Sequence, residues 1–333
     1  MKKFKLLFIT LISVFFVLST FSLCLAGQEK IPEISISTGS PTGGWYRVGA
    51  LIAEWVNQRV EGSPVTATPG GGGIGNPLLL AKGEADIGVS YGTFLKALEQ
   101  GTKPYENEPK ATNLRGMFSL TSNAHVFLVD KNIEATFVKD IIDKKIGLNF
   151  AVANPGDSGN FALDIILNGL GASLEDFKKW GGSVQEGLAT SERVNLWKDR
   201  QINGTYFMIP IGNADVTNGM ASRSGKLLGL TEPIQEIMVE KWGYVKYEMP
   251  PGTYPGQDYP VPAVRMPYCY FTTEDAPEDV IYLITKTVAE SEQDLRDSEG
   301  QFKNWKAEDM INGLGVQIHK GALKYYKERG WIK

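Results

Sequence analysis

The sequence predicts an α/β protein of two lobes, and three features indicate this fold. Strand-like and helix-like segments alternate along most of the 333 residues, as they do in mostly parallel sheets flanked by helices. A chain of this length with 42% hydrophobic residues usually divides into two lobes. Two early strand-like segments each run into a glycine-rich turn that opens a helix. We therefore expect a sheet with flanking helices in two copies.

Helix and strand signals are clear in the first half of the chain. Apolar residues recur at helical spacing from Val48 to Val60. A short helix is predicted with Asn76 as its N-cap, Pro77 at its first position and Gly83 beyond its end. The segments that follow are a strand at 85–89, a helix at 93–100 closed by a glycine, strands at 117–120, 126–129 and 146–150, and a helix at 158–168.

The same alternation continues in the second half. Strands are predicted at 206–209, 227–230, 245–247 and 263–271, and helices near 183–199, 213–223, 232–242 and 277–296. The segment 249–262 is rich in proline and is predicted to be an ordered crossover.

The two glycine-rich turns are candidate anion sites. Residues 39–46 read GSPTGGWY after the strand-like ISIS, and residues 69–76 read PGGGGIGN after VTAT. Glycine lets the main chain approach a ligand closely, and a helix N-terminus offers free N–H groups and a positive dipole end. Together they suggest a cradle for a small anion such as a carboxylate. Two tight turns without a ligand are the alternative.

A third loop has the same character. Residues 154–160 read NPGDSGN, after a predicted strand and before a helix. Ligands of open α/β sheets bind beyond the carboxyl ends of the strands, so three such loops favour a cleft between the lobes. Taken alone, this loop is also explained as a capping turn with Asp157 or Ser158 as the N-cap.

The N-terminus has the pattern of a secretory signal peptide. Three lysines precede an apolar run at 6–23, and small residues at 24–27 suit cleavage after Ala26. A retained membrane anchor is the alternative, because 18 apolar residues could span a bilayer. We expect a periplasmic protein that does not insert into the membrane after cleavage.

Composition argues against several classes of function. The formal net charge is −4, and removal of a leader with three lysines makes it more negative, which disfavours nucleic acid and anionic membranes as partners. Beyond the leader the one cysteine is Cys269, which we expect to be a small buried strand residue. His125 and His319 are the two histidines, and His319 is expected to cap or pack a helix. No catalytic residue, metal or cofactor is expected.

The order and spacing of these motifs resemble the TAXI family, the solute-binding subunits of tripartite ATP-independent periplasmic (TRAP) transporters. The resemblance rests on residues 39–46 and 70–76, on LAKGEAD at 80–86, on GDSG at 156–159, on YPGQ at 254–257 and on HKGALKYY at 319–326. It covers nearly the whole chain after the leader. Two departures are a glycine run where relatives often have Thr-Gly-Gly-Ser-Val-Glu-Asn, and Trp45 where a smaller residue is common.

The resemblance implies a bilobed fold of the type II periplasmic-binding kind, with two mixed sheets flanked by helices and a ligand cleft between the lobes. Lobe one would comprise residues 27–124 and 265–333, and lobe two residues 125–264, after a signal peptide at 1–26. The lobes would close over the ligand about hinges near 122–126 and 262–268.

The resemblance also implies a set of ligand-binding positions on both lobes. These positions are Ser40, Thr42, Gly43, Gly44, Trp45, Tyr46, Gly72, Gly73, Ile74, Asn76 and Tyr91 in lobe one, and Asp157, Ser158, Gly159, Asn160, Ile211, Gly212 and Asn213 in lobe two. The residues themselves leave open whether Trp45 stacks on a ligand or fills the core, and whether Arg47 clamps a carboxylate or is solvated.

The function implied by the resemblance is capture of a small organic anion, such as glutamate, glutamine or 2-oxoglutarate, and its delivery to the membrane permease of a TRAP transporter. Such permeases are driven by an ion gradient. A ligand-sensing subunit of a receptor, and an enzyme on the same bilobed scaffold, are the alternatives.

Overall fold

The computed structural model describes residues 33–41, 43–59, 64–155 and 157–333. The predicted signal peptide at 1–26 and the predicted site residue Thr42 lie outside these described residues.

Two long strands run through the middle of the sheet. They are β4 (Leu114–Asp130) and β10 (Val261–Thr273), which pair antiparallel over residues 114–124 of β4. The other strands are β1 (Ile34–Ser37), β2 (Val65–Thr68), β3 (Ile87–Tyr91), β5 (Asn149–Ala151), β6 (Ser183–Gln185), β7 (Gly204–Pro210), β8 (Gly225–Leu228) and β9 (Val245–Met249). The order in the sheet is β2-β1-β3-β10-β4-β7-β5-β6, with β8 on β4 and β9 on β10.

Helices follow most of the strands. They are α1 (Gly44–Arg59), α2 (Gly72–Ala81), α3 (Gly92–Gln100), α4 (Val138–Asp143), α5 (Ser158–Gly169), α6 (Leu174–Lys179), α7 (Thr190–Lys198), α8 (Ala214–Ser222), α9 (Glu232–Trp242), α10 (Glu278–Glu290), α11 (Glu292–Ser298) and α12 (Lys320–Glu328). The predicted α/β alternation is confirmed. The short helices α4 and α6 have no counterpart in the sequence prediction. The helix predicted near 183–199 is wrong in its first part, because residues 183–185 pair with β5 as the strand β6 and the helix α7 begins at Thr190.

The long strands change partners at their midpoints, and this divides the sheet into two halves. We call β1–β3, with residues 114–121 of β4 and 267–273 of β10, the first half. The second half comprises β5–β9, with residues 123–130 of β4 and 261–265 of β10. The two predicted sheets are therefore joined into one hydrogen-bonded sheet, because β4 and β10 continue through both halves.

Prediction of two separate strands at 117–120 and 126–129 is wrong, since β4 is continuous between them. Its polar middle section is buried where the halves meet, with Asn123 opposite Met266 of β10 on one edge and Pro210 of β7 on the other. The polar residues that read as a break are held in extended form by pairing on both sides. The predicted hinge segments 122–126 and 262–268 thus lie side by side, and the lobe boundaries within them stay a prediction.

The cap assigned to α2 is also wrong. The helix begins at Gly72, so Asn76 and Pro77 lie inside its second turn rather than at its start. Proline there leaves the Gly73 carbonyl without its intrahelical donor, and the Ser90 hydroxyl donates to that carbonyl instead. Gly83 does follow the end of the helix, with a positive φ of 73°.

Two smaller sequence predictions are confirmed. Cys269 is fully buried in β10, and burial raises the pKa of its thiol to about 12. His319 is the N-cap of α12, where its Nδ1 accepts from the Gly321 N–H at 3.1 Å.

The packing of α12 on α10 leaves no space for a side chain at Gly321. A Cβ there would lie 2.2 Å from the Glu278 carbonyl oxygen. We expect Gly321→Ala to lower the free energy of unfolding by about 1–3 kcal/mol, despite the better helix propensity of alanine. Thermal melting by circular dichroism measures this. Gly75→Ala is the matched control, because no heavy atom lies within 4 Å of its added Cβ. Equal melting temperatures for the two variants would contradict the packing described.

Candidate functional site

A cavity of about 170 Å³ lies between the two halves, where strand ends meet helix N-termini. Its walls are the loop before α1, the starts of α2, α5, α7 and α8, the end of β3, and β7. A cavity of this size holds a molecule about as large as benzene. Its lining comprises Gly39, Ser40, Gly43, Gly44, Trp45, Arg47, Gly72, Gly73, Tyr91, Asn123, Ala153, Asp157, Ser158, Gly159, Asn160, Thr190, Arg193, Tyr206, Met208, Ile209, Pro210, Asn213 and Asp215.

Asn76 holds the two glycine-rich turns together from behind the cavity. Its Nδ2 donates to the carbonyls of Ser37 at 3.0 Å, Thr38 at 2.7 Å and Val89 at 2.8 Å, while its Oδ1 accepts from the Ser37 hydroxyl at 2.9 Å. The side chain is fully buried. Asn76 therefore fixes the ends of β1 and β3 relative to α2 and does not line the cavity.

The second turn needs glycine at two positions. A Cβ on Gly70 would lie 2.1 Å from the Ser37 hydroxyl oxygen, and Gly72 has a positive φ of 66°. The Gly72 N–H donates to the Thr38 carbonyl at 3.2 Å, which ties this turn to the first one. Gly70 and Gly72 are therefore required by the conformation and packing of the turn. The next residue, Gly73, lines the cavity from the first turn of α2.

A hydrogen-bonded group joins the two halves at the cavity wall. Asn123 Nδ2 donates to the Tyr91 hydroxyl at 2.7 Å, and that hydroxyl is also hydrogen-bonded to Ser158 of α5. Burial, together with the charge of Asp157, raises the pKa of Tyr91 well above its usual value, so the phenol keeps its proton. Ser158 Cβ also lies 3.2 Å from the position of a Cβ added to Gly73, so the halves are in direct contact.

Arg193 places a positive charge in the wall of the cavity. Its side chain comes from α7, is only 6% exposed, and lies over the Phe207 ring at 4.5 Å. The guanidinium donates to the Tyr206 carbonyl and to the Thr190 hydroxyl, and it forms no ion pair with a carboxylate of the described residues. Burial lowers its pKa to about 10 while Asp157 opposes this shift, so Arg193 stays charged at neutral pH.

Two carboxylates line the same cavity. Asp157 is the N-cap of α5 and accepts from the Gly159 N–H at 2.6 Å, which confirms its predicted capping role. Asp215 lies in the first turn of α8, where Asn213 is the N-cap and accepts from the Asp215 and Val216 N–H groups. Asp157 and Asn213 thus serve both the helix ends and the cavity wall.

Trp45 both packs and lines the cavity. Its ring contacts those of Tyr91 and Tyr268, with centroids 5.2 Å and 5.4 Å away. Its Nε1 is buried with no hydrogen-bond partner among the described residues. Arg47 is exposed at the rim and pairs with Glu299 at 3.1 Å, so the structure shows it in an ion pair on the surface.

Most of the predicted ligand positions converge on this one cavity. Those that line it are Ser40, Gly43, Gly44, Trp45, Gly72, Gly73, Tyr91, Asp157, Ser158, Gly159, Asn160 and Asn213. Those that do not line it are Tyr46, Ile74, Asn76, Ile211 and Gly212. Two of this second set hold neighbouring segments: the Ile74 carbonyl accepts from Tyr105 at 2.9 Å, and the Gly212 N–H donates to Tyr254 at 3.2 Å. Contact of any of these residues with a ligand stays a prediction.

Sequence reasoning missed several lining residues, of which Arg193 and Asn123 are the most informative. Arg193 is a charged residue that directly follows Ser191 and Glu192 in a helical segment, so nothing in its local pattern indicates that it is buried. Asn123 lies in a stretch that read as a break between strands. Polar residues inside an otherwise apolar 17-residue strand are the signal that could have identified it.

Larger cavities lie elsewhere on the surface. One of about 610 Å³ lies between α3 and α9, and one of about 510 Å³ lies beside Asp86 and Asp275. Neither cavity is lined by the glycine-rich turns or by a buried charged side chain that lacks an ion pair. Within the described ranges, no group of three or more His, Cys, Asp or Glu side chains is placed to hold a metal ion. No helix in that part of the chain has the length and hydropathy needed to cross a bilayer.

The family model described as NMT1-like matches residues 36–330, which is most of the chain. The chain belongs to the NMT1-like family.

Solved structures of similar fold include several periplasmic proteins. MatC from Rhodopseudomonas palustris with bound malate is 13% identical, with a TM-score of 0.54 over 90% of this chain and 97% of that one. The periplasmic binding protein BugD is 13% identical, with a TM-score of 0.51 over 91% and 95%. A structure titled as a periplasmic transporter is 12% identical, with a TM-score of 0.51 over 92% and 96%. The predicted bilobed type II fold of periplasmic binding proteins is confirmed for this NMT1-like chain.

The contact between the halves at Gly73 should be sensitive to added volume. A Cβ on Gly73 would lie 2.9 Å from the Tyr91 ring and 3.2 Å from Ser158 Cβ. We expect Gly73→Val to hold the halves apart and to increase the radius of gyration in small-angle X-ray scattering. Gly75→Ala is the control, because its added Cβ meets open space. An unchanged radius for Gly73→Val would mean that the halves accommodate the side chain without opening.

Proposed function

We propose that this protein is an extracytoplasmic solute-binding protein that captures a small organic anion and delivers it to a membrane permease. The observation that carries the proposal is Arg193, a buried guanidinium that lines the cavity and forms no ion pair with a carboxylate of the described residues. Its N–H groups donate to neutral acceptors, and Asp157 only partly offsets the effect of burial. A bound carboxylate would pair with the guanidinium by charge-assisted hydrogen bonds. The binding free energy of the ligand therefore includes the attraction between its carboxylate and the Arg193 guanidinium.

Other groups on the cavity wall support an anionic ligand. Trp45 Nε1 is a buried donor without an acceptor among the described residues. Gly73 and Ser158 lie in the first turns of α2 and α5, where backbone N–H groups lack intrahelical acceptors. The positive dipole ends of these helices add to the attraction for an anion.

The cavity volume and the fold suggest the size of the ligand. A space of about 170 Å³ suits a small metabolite. Glutamate, glutamine, 2-oxoglutarate and similar carboxylates, which the motif resemblance implies, are the candidates. The bound malate of MatC, a protein of the same fold, supports a carboxylate ligand.

The proposed transport system is of the TRAP type, with this chain as its TAXI-like subunit. The motif order that resembles that family runs through the region matched by the NMT1-like model. In this proposal residues 27–124 and 265–333 form lobe one, residues 125–264 form lobe two, and a cleavable signal at 1–26 directs the protein to the periplasm. The lobes close by a hinge motion where β4 and β10 change partners. The bound molecule is not transformed, and neither metal nor cofactor takes part.

Arg193→Gln tests the anion site. We expect it to weaken binding of the carboxylate that most raises the melting temperature of the wild-type protein in a thermal-shift screen. The expected cost is about 2–5 kcal/mol, because the ligand carboxylate would then be buried without its cation. Isothermal titration calorimetry measures the affinity. Lys198→Gln on the exposed face of α7 is the matched control and should bind normally. Equal affinity of Arg193→Gln and wild type would remove the anion site proposed here.

Two further measurements test metal independence and delivery. Binding should be unchanged by EDTA, because backbone N–H groups and side-chain donors hold the ligand. Proteoliposomes that contain the proposed TRAP permease subunits should take up labelled ligand only when the protein is added. Normal binding without any effect on uptake would instead favour a ligand-sensing receptor subunit, and turnover of the ligand would favour an enzyme.

A further inference from the structure

Asn123 and Ala124 are the positions of β4 that pair with both β10 and β7, and Asn123 is the polar one of the two. It lies opposite Met266 of β10 and Pro210 of β7. Its side chain is 5% exposed and lines the cavity between the halves. A buried amide at such a position must satisfy its hydrogen bonds locally or leave them for a ligand.

The orientation of this amide follows from its neighbours. One side-chain atom lies 3.3 Å from the Met208 carbonyl oxygen, which can only accept, so that atom is the nitrogen. The same Nδ2 donates to the Tyr91 hydroxyl at 2.7 Å. Oδ1 is therefore directed away from both, and it has no hydrogen-bond partner among the described residues. Asn123, a residue of the cavity lining, thus holds a buried acceptor without a partner, and Arg193 of the same lining holds a buried cation.

The acceptor and the cation are held on the same strand. Asn123 is bonded to the Met208 carbonyl and Arg193 to the Tyr206 carbonyl, two residues apart on β7. Alternate residues of a strand are separated by about 6.6 Å. This separation is within reach of a ligand that carries a carboxylate and a second polar group on a short carbon chain.

The charges around the cavity indicate what this second group is. Asp157 and Asp215 line the cavity with Asn123, so three side chains present oxygen acceptors to the same space. Beside these three acceptors an N–H or O–H group of the ligand would find a partner, whereas a carboxylate would be repelled. A second carboxylate would have to lie at the rim instead, near Arg47, the other cation of the lining.

We propose that Asn123 is a specificity-determining residue whose Oδ1 accepts a hydrogen bond from an amine or hydroxyl of the ligand while Arg193 holds its carboxylate. The inference rests on the proposed function and refines it. The site then selects amino- or hydroxy-carboxylates over acids that have the same carbon skeleton without the donor. Selection arises because a ligand without the donor leaves the buried Oδ1 desolvated and unpaired.

Matched pairs of acids test this selectivity. Calorimetric affinities of the wild-type protein are compared for glutamate, 2-hydroxyglutarate and glutarate, for malate and succinate, and for lactate and propionate. In at least one pair, we expect the acid with an amine or hydroxyl group to bind roughly 10- to 100-fold more tightly than the acid without it. Asn123→Leu, which removes the acceptor at similar volume, should reduce this ratio to about one while the unsubstituted acid keeps its affinity. A merely structural role would weaken both members of the pair equally.

Ser122→Ala is the control variant, because Ser122 is the neighbouring buried polar residue of β4 and does not line the cavity. It should keep the wild-type ratio. Binding of the acids without any preference for the donor would overturn the role of Asn123 and leave the anion site intact. That result requires only the wild-type protein, so it stands even where Asn123→Leu fails to fold. Failure of every acid to bind would overturn both proposals.

Discussion

The pairing of β4 with β10 is the constraint on which the rest of this structure depends. Each strand is long enough to serve both halves of the sheet, and they are hydrogen-bonded to each other across the midpoint, from Leu114↔Thr273 to Ala124↔Arg265. The halves are thus connected by two adjacent strands rather than by loops. One of the two register shifts in this pairing lies beside Pro267, which has no N–H to donate, and the other lies between Tyr270 and Phe271. The hinge proposed above includes the first of these irregular points.

This connection also explains why polar residues are buried in the middle of β4. Each half contributes parallel strands on one side of the β4–β10 pair, and the carboxyl ends of these two sets of strands face one another. The helices that follow the strands therefore begin at the cavity. The polar groups required to line such a space must come from the strands at its floor. Asn123 and Tyr91 supply polar groups there. The hydrogen bond between them joins β4 to β3, the two strands that lie on either side of β10. The same geometry that joins the halves therefore creates the polar floor of the cavity.

Hydrophobic periodicity and the positions of glycine and proline were sufficient to predict the α/β class. They also predicted elements such as α9, whose predicted and observed limits coincide. They failed where tertiary contacts outweigh local signals. Pro77 looked like a helix start because its missing N–H is harmless there, yet Asn76 is held inside the helix by three distant carbonyls. The glycine-rich loops do lie together, as predicted, since residues of all three line the candidate cavity. Arg193 could not be predicted, because its burial depends on Phe207 and the Tyr206 carbonyl of a strand that local sequence does not place beside it.

The contacts between the halves are not confined to the cavity. Phe94 of α3 packs edge-on against Phe161 of α5 at 5.5 Å, and Phe161 packs against Trp242 of α9 at 5.1 Å. Such aromatic pairs stabilise the contact by about 0.5–1.5 kcal/mol each beyond the burial of their surfaces. A ligand shifts an equilibrium only by the difference between its affinities for the two states. The aromatic contacts join the halves independently of any ligand. Arg193 is buried by residues of the second half alone, namely Thr190, Tyr206 and Phe207. Under the proposed function, a ligand would therefore favour closure only if it contacted Arg193 and the first half, at Gly73 or Trp45, at the same time.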